Sequence, residues 1–179
     1  MTESFSIPEA EYTRRRSSFE LCEWINQKLA EMRETGRFDE LYFERSGPRT
    51  NIKKLIEEAI PLSRLGLYLS TPESEVYLTC FADNRGYDAV VEVTGFTHRT
   101  FKVEVTTTET KTSNLRRQAL ARYRHVPLTG TISRRGREIT ATGDMVRADE
   151  EDERCISLMF DRLQRKVDSG RYDRETAIL

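Results

Sequence analysis

Two carboxylates stand out by their place in a strand-rich stretch. Asp88 opens the segment Tyr87-Asp88-Ala89-Val90-Val91-Glu92-Val93, and Glu104 sits within Phe101-Lys102-Val103-Glu104-Val105-Thr106. In the second segment Phe101, Val103 and Val105 alternate with Lys102, Glu104 and Thr106, the period of a strand with one apolar face. Neighbouring strands can bring two such carboxylates to one side of a sheet. Carboxylates within a few Å repel unless a cation binds between them, so the pair is a natural seat for Mg²⁺. A cation there can activate water and neutralise phosphate charge. Each acid also has a plainer reading. Asp88 can cap the turn that follows Arg85-Gly86, and Glu104 can pair with a basic residue across the sheet.

The composition offers no richer metal chemistry. His98 and His125 are the only histidines, and Cys22, Cys80 and Cys155 are far apart with no C-x-x-C pair. A Cys/His zinc site therefore finds little support, which leaves carboxylates and a hard cation. The odd cysteine count suits a reducing compartment, and the opening residues MTESFSIPEAEYTRRR hold no apolar signal core, so a cytoplasmic location is expected. There is no apolar run near the ~20 residues of a membrane span, so no membrane partner is expected. Neither G-x-x-x-x-G-K-[ST] nor G-x-G-x-x-G occurs, which removes support for nucleotide-loop functions.

The formal net charge of −1 conceals a strong segregation. Between Lys111 and Arg137 there is no acid, while Lys111, Arg116, Arg117, Arg122, Arg124, Arg134, Arg135 and Arg137 make that stretch +8 and leave −9 for the remainder. Seven acids then fall between Glu138 and Glu153, against one Arg147. The basic run reads as an anion-binding element, most simply for the phosphates of a nucleic acid, DNA more than RNA. Its arginine bias suits bidentate phosphate contacts. The alternative is a solvated face that the acids at 149–153 neutralise in the fold.

These residues need elements to position them. The chain reads as a single domain over 1–179, with a frayed N-terminus over 1–16 and an N-terminal helical element over 17–50. Phe19, Cys22, Ile25 (or Trp24) and Leu29 mark the apolar stripe of a helix from Ser17 to Glu34. Ile52, Leu55, Ile56, Ala59 and Ile60 mark the best-formed helix, with Pro61 expected to kink or end it. Strands follow at Val76–Phe81, Tyr87–Thr94 and Thr100–Thr107. Then come a helix over Lys111–Arg124, a hairpin tipped by Arg134-Arg135-Gly136-Arg137, and a helix over Glu150–Ser169. Ile156, Met159, Phe160, Leu163 and Val167 form the stripe of that last helix, and Ala177-Ile178-Leu179 begins a short final strand. The expected fold is α+β (mixed α/β), a single central β-sheet flanked by helices.

This order, with its two acids, resembles the PD-(D/E)xK nuclease-like (restriction-endonuclease-like) superfamily. There an acid-bearing helix precedes a strand with Asp, then a strand with (D/E)xK. Asp88 matches the Asp and Glu104 the (D/E), with fifteen residues between them. Glu58, with Glu57 as the alternative, lies on the preceding helix where some members carry a further acid. The resemblance covers roughly residues 51–124 and implies a nuclease-like core over 51–179. It implies a hydrolase in which Asp88 and Glu104 hold Mg²⁺. The motif Lys is replaced by Thr106, so Lys102 on the same face, or less directly Lys111, would assist the water. The Q-x-x-x-Y signature of some members is also imperfect here, since Gln118 and Tyr123 lie five apart. The loss of the motif Lys equally suits a catalytically inactive relative that binds nucleic acid or a protein partner. A homodimer, or an interaction module with no nucleic-acid role, is the remaining alternative.

Overall fold

Local capping sets the first long helix. Ser17 Oγ accepts from the Glu20 N–H at 3.2 Å, and the Glu20 carboxylate accepts from the Ser17 N–H at 2.7 Å. This reciprocal box satisfies two orphan donors and starts a helix over Ser18–Glu34. In a computed structural model that describes residues 5–38, 42, 51–83, 85–96, 98–106, 111–123, 125–126, 131–136, 138–143, 148–170, 172 and 175–179, this helix is α2. A short α1 (Glu9–Tyr12) and β1 (Arg16–Ser17) precede it.

The helix buries Leu21, Trp24, Ile25 and Met32, whereas Phe19, expected in its stripe, is exposed. The reason lies in the preceding segment. Trp24 Nε1 donates to Glu11 at 2.7 Å, and the Arg16 guanidinium stacks 4.3 Å from the centre of its ring system. These contacts turn the Trp24 face inward and Phe19 out. For residues 7–16 the same segment corrects the frayed end expected over 1–16. Ile7, Tyr12 and Arg16 are buried, so these residues form a strap packed on the core.

The second helical stretch consists of α3 (Ile52–Lys54), a π-helical turn (Leu55–Ala59) and α4 (Ile60–Leu69). Pro61 neither ends nor breaks it. A proline lacks the N–H and crowds the carbonyl four residues back, and a widened turn just before it accommodates both. Ile52, Leu55, Ile56, Ala59 and Leu62 are buried against the sheet, as the apolar spacing predicts for the first four.

Three strands then form an antiparallel meander: β2 (Ser74–Cys80), β3 (Ala89–Gly95) and β4 (Arg99–Glu104). Val76, Leu78 and Cys80, then Ala89 and Val91, then Val103 point to the helices at strand period. The chain continues through α5 (Lys111–Tyr123), β5 (Ile132–Arg135), β6 (Glu138–Ala141) and α6 (Ala148–Asp168) to β7 (Thr176–Ile178). The central sheet has the order β1-β2-β3-β4-β7, and β7 runs parallel to β4. The expected single sheet needs one correction. The β5–β6 hairpin forms a separate two-stranded sheet, because Ile132 pairs its apolar face with Leu115 and Ala119 of α5 in a small core of their own. Among the described residues, no helix is long and apolar enough to cross a membrane.

Gly95 closes β3 at φ 139°, opposite Ser74, and a Cβ there would run into the Glu73 carbonyl oxygen. Gly95→Ala is therefore expected to cost about 2 kcal/mol or more. Urea unfolding of the two proteins measures this, and an unchanged midpoint would contradict it.

Candidate active site

Asp88 and Glu104 meet because of strand register. Ala89 pairs with Val103 in the antiparallel ladder, so one residue outward places Asp88 against Glu104. The ladder itself anchors Asp88. Its N–H donates to the Val103 carbonyl at 2.8 Å, and its carbonyl accepts from the Phe81 N–H at 2.9 Å. Its carboxylate accepts from the Val105 N–H at 2.7 Å, holding the side chain over the end of β4.

Glu104 is the last residue of β4 and is tied on the other side by β7. The Leu179 N–H donates to the Glu104 carbonyl at 2.9 Å, and the Thr106 N–H to the Leu179 carbonyl at 2.6 Å. The Glu104 carboxylate accepts from Lys166 Nζ at 2.7 Å and from the Tyr172 hydroxyl at 3.4 Å. Lys166 also lies 3.4 Å from the Val105 carbonyl, so α6 delivers an ammonium to the strand end.

Glu58 comes from the π-helical turn. Lys54, one helical turn earlier, contacts its carboxylate at 3.2 Å and donates to the Phe81 carbonyl at 3.4 Å. Glu57 instead points to Lys53, 3.7 Å away. The wider turn decides between the two acids, which regular helix angles leave unresolved.

The charges of these acids are felt across the site. Burial pushes the Glu58 carboxyl up to about 7, and the charges of Asp88 and Glu104 add to the rise while Lys54 opposes it. Asp88 is also raised, first by burial and then by Glu104, against the pull of the Val105 N–H, Lys54 and Lys166. Tyr12 lies beside Glu58, and burial together with Cys80, Glu58 and Asp88 keeps its phenol protonated far above the ordinary range.

The fold thus brings together Asp88, Glu104 and Glu58. The Lys102 ammonium lies 5.6 Å from the ring centre of Tyr87, the residue before Asp88, while Lys166 sits at Glu104. Lys54, Lys166 and Tyr12 were not foreseen as site residues. The i, i+4 spacing of Lys54 to Glu58 is a readable signal for the first, but nothing local announces the other two. Among the described residues, no group of three or more His, Cys, Asp or Glu side chains is arranged to hold a metal ion. Each acid instead faces a lysine or a backbone N–H. The donor chemistry still suits a hard cation, because Asp88 and Glu104 offer only oxygens. The Thr106 hydroxyl is buried with no hydrogen-bond partner.

The basic candidates lie on α5 and the hairpin. Arg116 and Arg117 are half-buried on α5, and Arg122 is exposed with its guanidinium 5.6 Å from the Tyr123 ring centre. Arg134 and Arg135 are exposed on β5, where Arg134 donates to Gln118 at 3.2 Å and links the hairpin to α5. Lys111 is the first residue of α5, while Arg124 and Arg137 lie outside the described residues.

Glu58 titrates at its ordinary 4.5 when unfolded and at about 7 when folded. Between these values the folded state holds the extra proton, so this contribution to stability is full below the first and lost as pH rises through the second. Glu58→Gln is accordingly expected to gain about 1–3 kcal/mol over the wild type at pH ~8 and much less at pH ~5, read from urea unfolding. A gain that does not change with pH would contradict a buried charge. No family model matches the chain, and no curated protein or solved structure matches it either.

Proposed function

We propose that this chain is a nuclease-like protein acting on nucleic acid, with Asp88 and Glu104 at its centre and phosphodiester hydrolysis as its reaction. The observation that carries this reading is the register that sets Asp88 of the β3 entry against Glu104 at the end of β4. The surrounding order supports a restriction-endonuclease-like core: a helix, an antiparallel three-stranded meander, a helix, and a strand parallel to the third.

In this reading Asp88 and Glu104 would hold Mg²⁺, which supplies a Lewis acid and a water of lowered pKa when bound. Glu58, near neutrality in its titration, would be the residue that accepts a proton in the reaction. Lys166 takes the place left by Thr106, setting an ammonium beside Glu104 where phosphate charge would lie. In this reading Lys166, rather than Lys102, supplies the ammonium. Arg116, Arg117, Arg122, Arg134 and Arg135, with Lys111, Arg124 and Arg137 of the same basic run, would bind the phosphate backbone.

Nucleic-acid cleavage with and without Mg²⁺ tests the reading. Asp88→Ala and Glu104→Ala are each expected to lower the rate at least ~100-fold, Lys166→Ala by a comparable amount, and Lys102→Ala within about threefold. Cleavage that survives both carboxylate substitutions would refute the site.

A second reading, binding without hydrolysis, is favoured by the pairing of every site carboxylate with a lysine or a backbone N–H. It predicts affinity without Mg²⁺-dependent cleavage. In both readings Arg134→Ala with Arg135→Ala should weaken binding and flatten log K against log salt by about two. Binding that is indifferent to salt would remove nucleic acid as the partner.

A further inference from the structure

α5 and the β5–β6 hairpin border a cavity of about 400 Å³, within the range of small-ligand sites. The two are held together by the Arg134–Gln118 hydrogen bond and by the core of Leu115, Ala119 and Ile132. Ala119 and Tyr123 border the cavity from α5, His125 and Val126 from the segment after it, and Ile139 and Ala141 from β6. Tyr123 is 37 % exposed and His125 is exposed as well, so two aromatic rings are open to solvent there. Among the described residues none of β5 borders the cavity, so it lies along the outer edge of β6. That edge is polar. The Thr142 N–H donates to the Thr131 carbonyl at 2.9 Å, which sets the phase of the antiparallel ladder. Glu138, Thr140 and Thr142 turn their N–H and C=O groups toward β5, and Ile139 and Ala141 turn theirs outward. The cavity thus combines aromatic rings, an apolar wall and a row of backbone donors and acceptors.

The charge around the cavity selects its occupant. Most of its wall belongs to the stretch from Lys111 to Arg137, which holds eight basic residues and no acid. Arg122 and Arg124 flank Tyr123 in sequence, and Arg135 is exposed on the hairpin. Glu138 also borders the cavity, but strand alternation sets its side chain on the other face of the hairpin from Ile139, across the ladder from Arg135. The ligand that suits such a place is a planar, uncharged ring with hydrogen-bonding edges, carried on a polyanion. A nucleobase has these properties. Its face stacks on an aromatic ring, its edge pairs with backbone N–H and C=O groups, and its phosphates meet the arginines. A base within a duplex has its faces stacked and its pairing edge occupied, so the occupant must be unpaired. We propose that the cavity between α5 and β6 takes an unpaired nucleobase, with Tyr123 as its stacking platform, and that the nucleic acid is single-stranded where it crosses this hairpin. The assignment rests on the nucleic-acid reading above and adds to it the strandedness of the substrate.

Fluorescence anisotropy of the full chain with three labelled oligonucleotides of about 12 nucleotides tests this: a single strand, the same strand made abasic throughout, and the duplex. The abasic strand keeps the phosphates and lacks only the bases. The wild type is expected to bind the single strand about tenfold tighter than the abasic one. Tyr123→Ala should lose about fivefold or more on the single strand, keep its affinity for the abasic strand and the duplex, and leave the slope of log K against log salt unchanged. Tyr123→Phe, which retains the ring, should bind like the wild type. Equal affinity for the base-bearing and abasic strands, or a silent Tyr123→Ala, would overturn the base site, while salt-dependent binding would leave the nucleic-acid reading standing. A loss on the duplex as large as on the single strand would overturn the unpaired base. Failure to bind any of the three would overturn both the site and the wider reading. Sedimentation velocity of the protein alone reads the other occupant that the β6 edge could take, a second copy of the chain. A dimer that Tyr123→Ala disperses would put that copy in place of the nucleobase.

Discussion

Three carboxylates, Glu58, Asp88 and Glu104, feel one another's charge, and each is held by a partner of its own. Lys54 reaches Glu58 from within the same helical stretch, Lys166 reaches Glu104 from α6, and the Val105 N–H holds Asp88. Without these partners the acids would have to take up protons or move apart. With them, the acids stay together but keep raised affinities for protons at Glu58 and Asp88. Such residual strain in charge is common at sites that bind a cation or a reacting group, and less so at positions whose role is only structural.

The pairing of β7 beside β4 serves the same end. Three backbone bonds, from Lys102 to Glu175, from Leu179 to Glu104 and from Thr106 to Leu179, extend the sheet past the carboxylate strand. They make β4 an interior strand, so the Glu104 backbone is fixed from both sides. α5, the hairpin and α6 fill the connection that this parallel pairing requires, because a parallel neighbour cannot be reached by a tight turn. The basic hairpin is therefore an insertion in an obligatory crossover, free to build its own small core around Leu115, Ala119 and Ile132.

Periodicity exposed most of this architecture. The alternation in Phe101–Thr106 reads as a half-buried strand, and the sheet uses it so, while Gly170, at φ 62°, ends α6 where the sequence places a stop. What periodicity missed has particular causes. The choice of Glu58 over Glu57 depends on a π-helical turn, which shifts the helix phase and leaves no signature beyond Pro61. The part of Lys166 depends on a contact 62 residues away. The strap over 7–16 looked polar, and its burial rests on a few residues, Ile7, Tyr12 and Arg16, that find partners only in three dimensions. For α6 the stripe was plain in sequence, but an apolar stripe does not say whether it faces its own core.

Arg16 gives the strap a property that the carboxylate cluster lacks. Its guanidinium lies on Trp24 and donates to the Arg14 and Glu11 carbonyls at 2.9 and 2.7 Å. Burial draws its affinity for protons down, yet a guanidinium keeps its proton throughout the range in which proteins fold. The fastening that holds Tyr12 beside Glu58 is thus indifferent to acidity, while the group it supports titrates near neutrality. A drop of a pH unit or two can change the charge of this site without loosening the wall behind it.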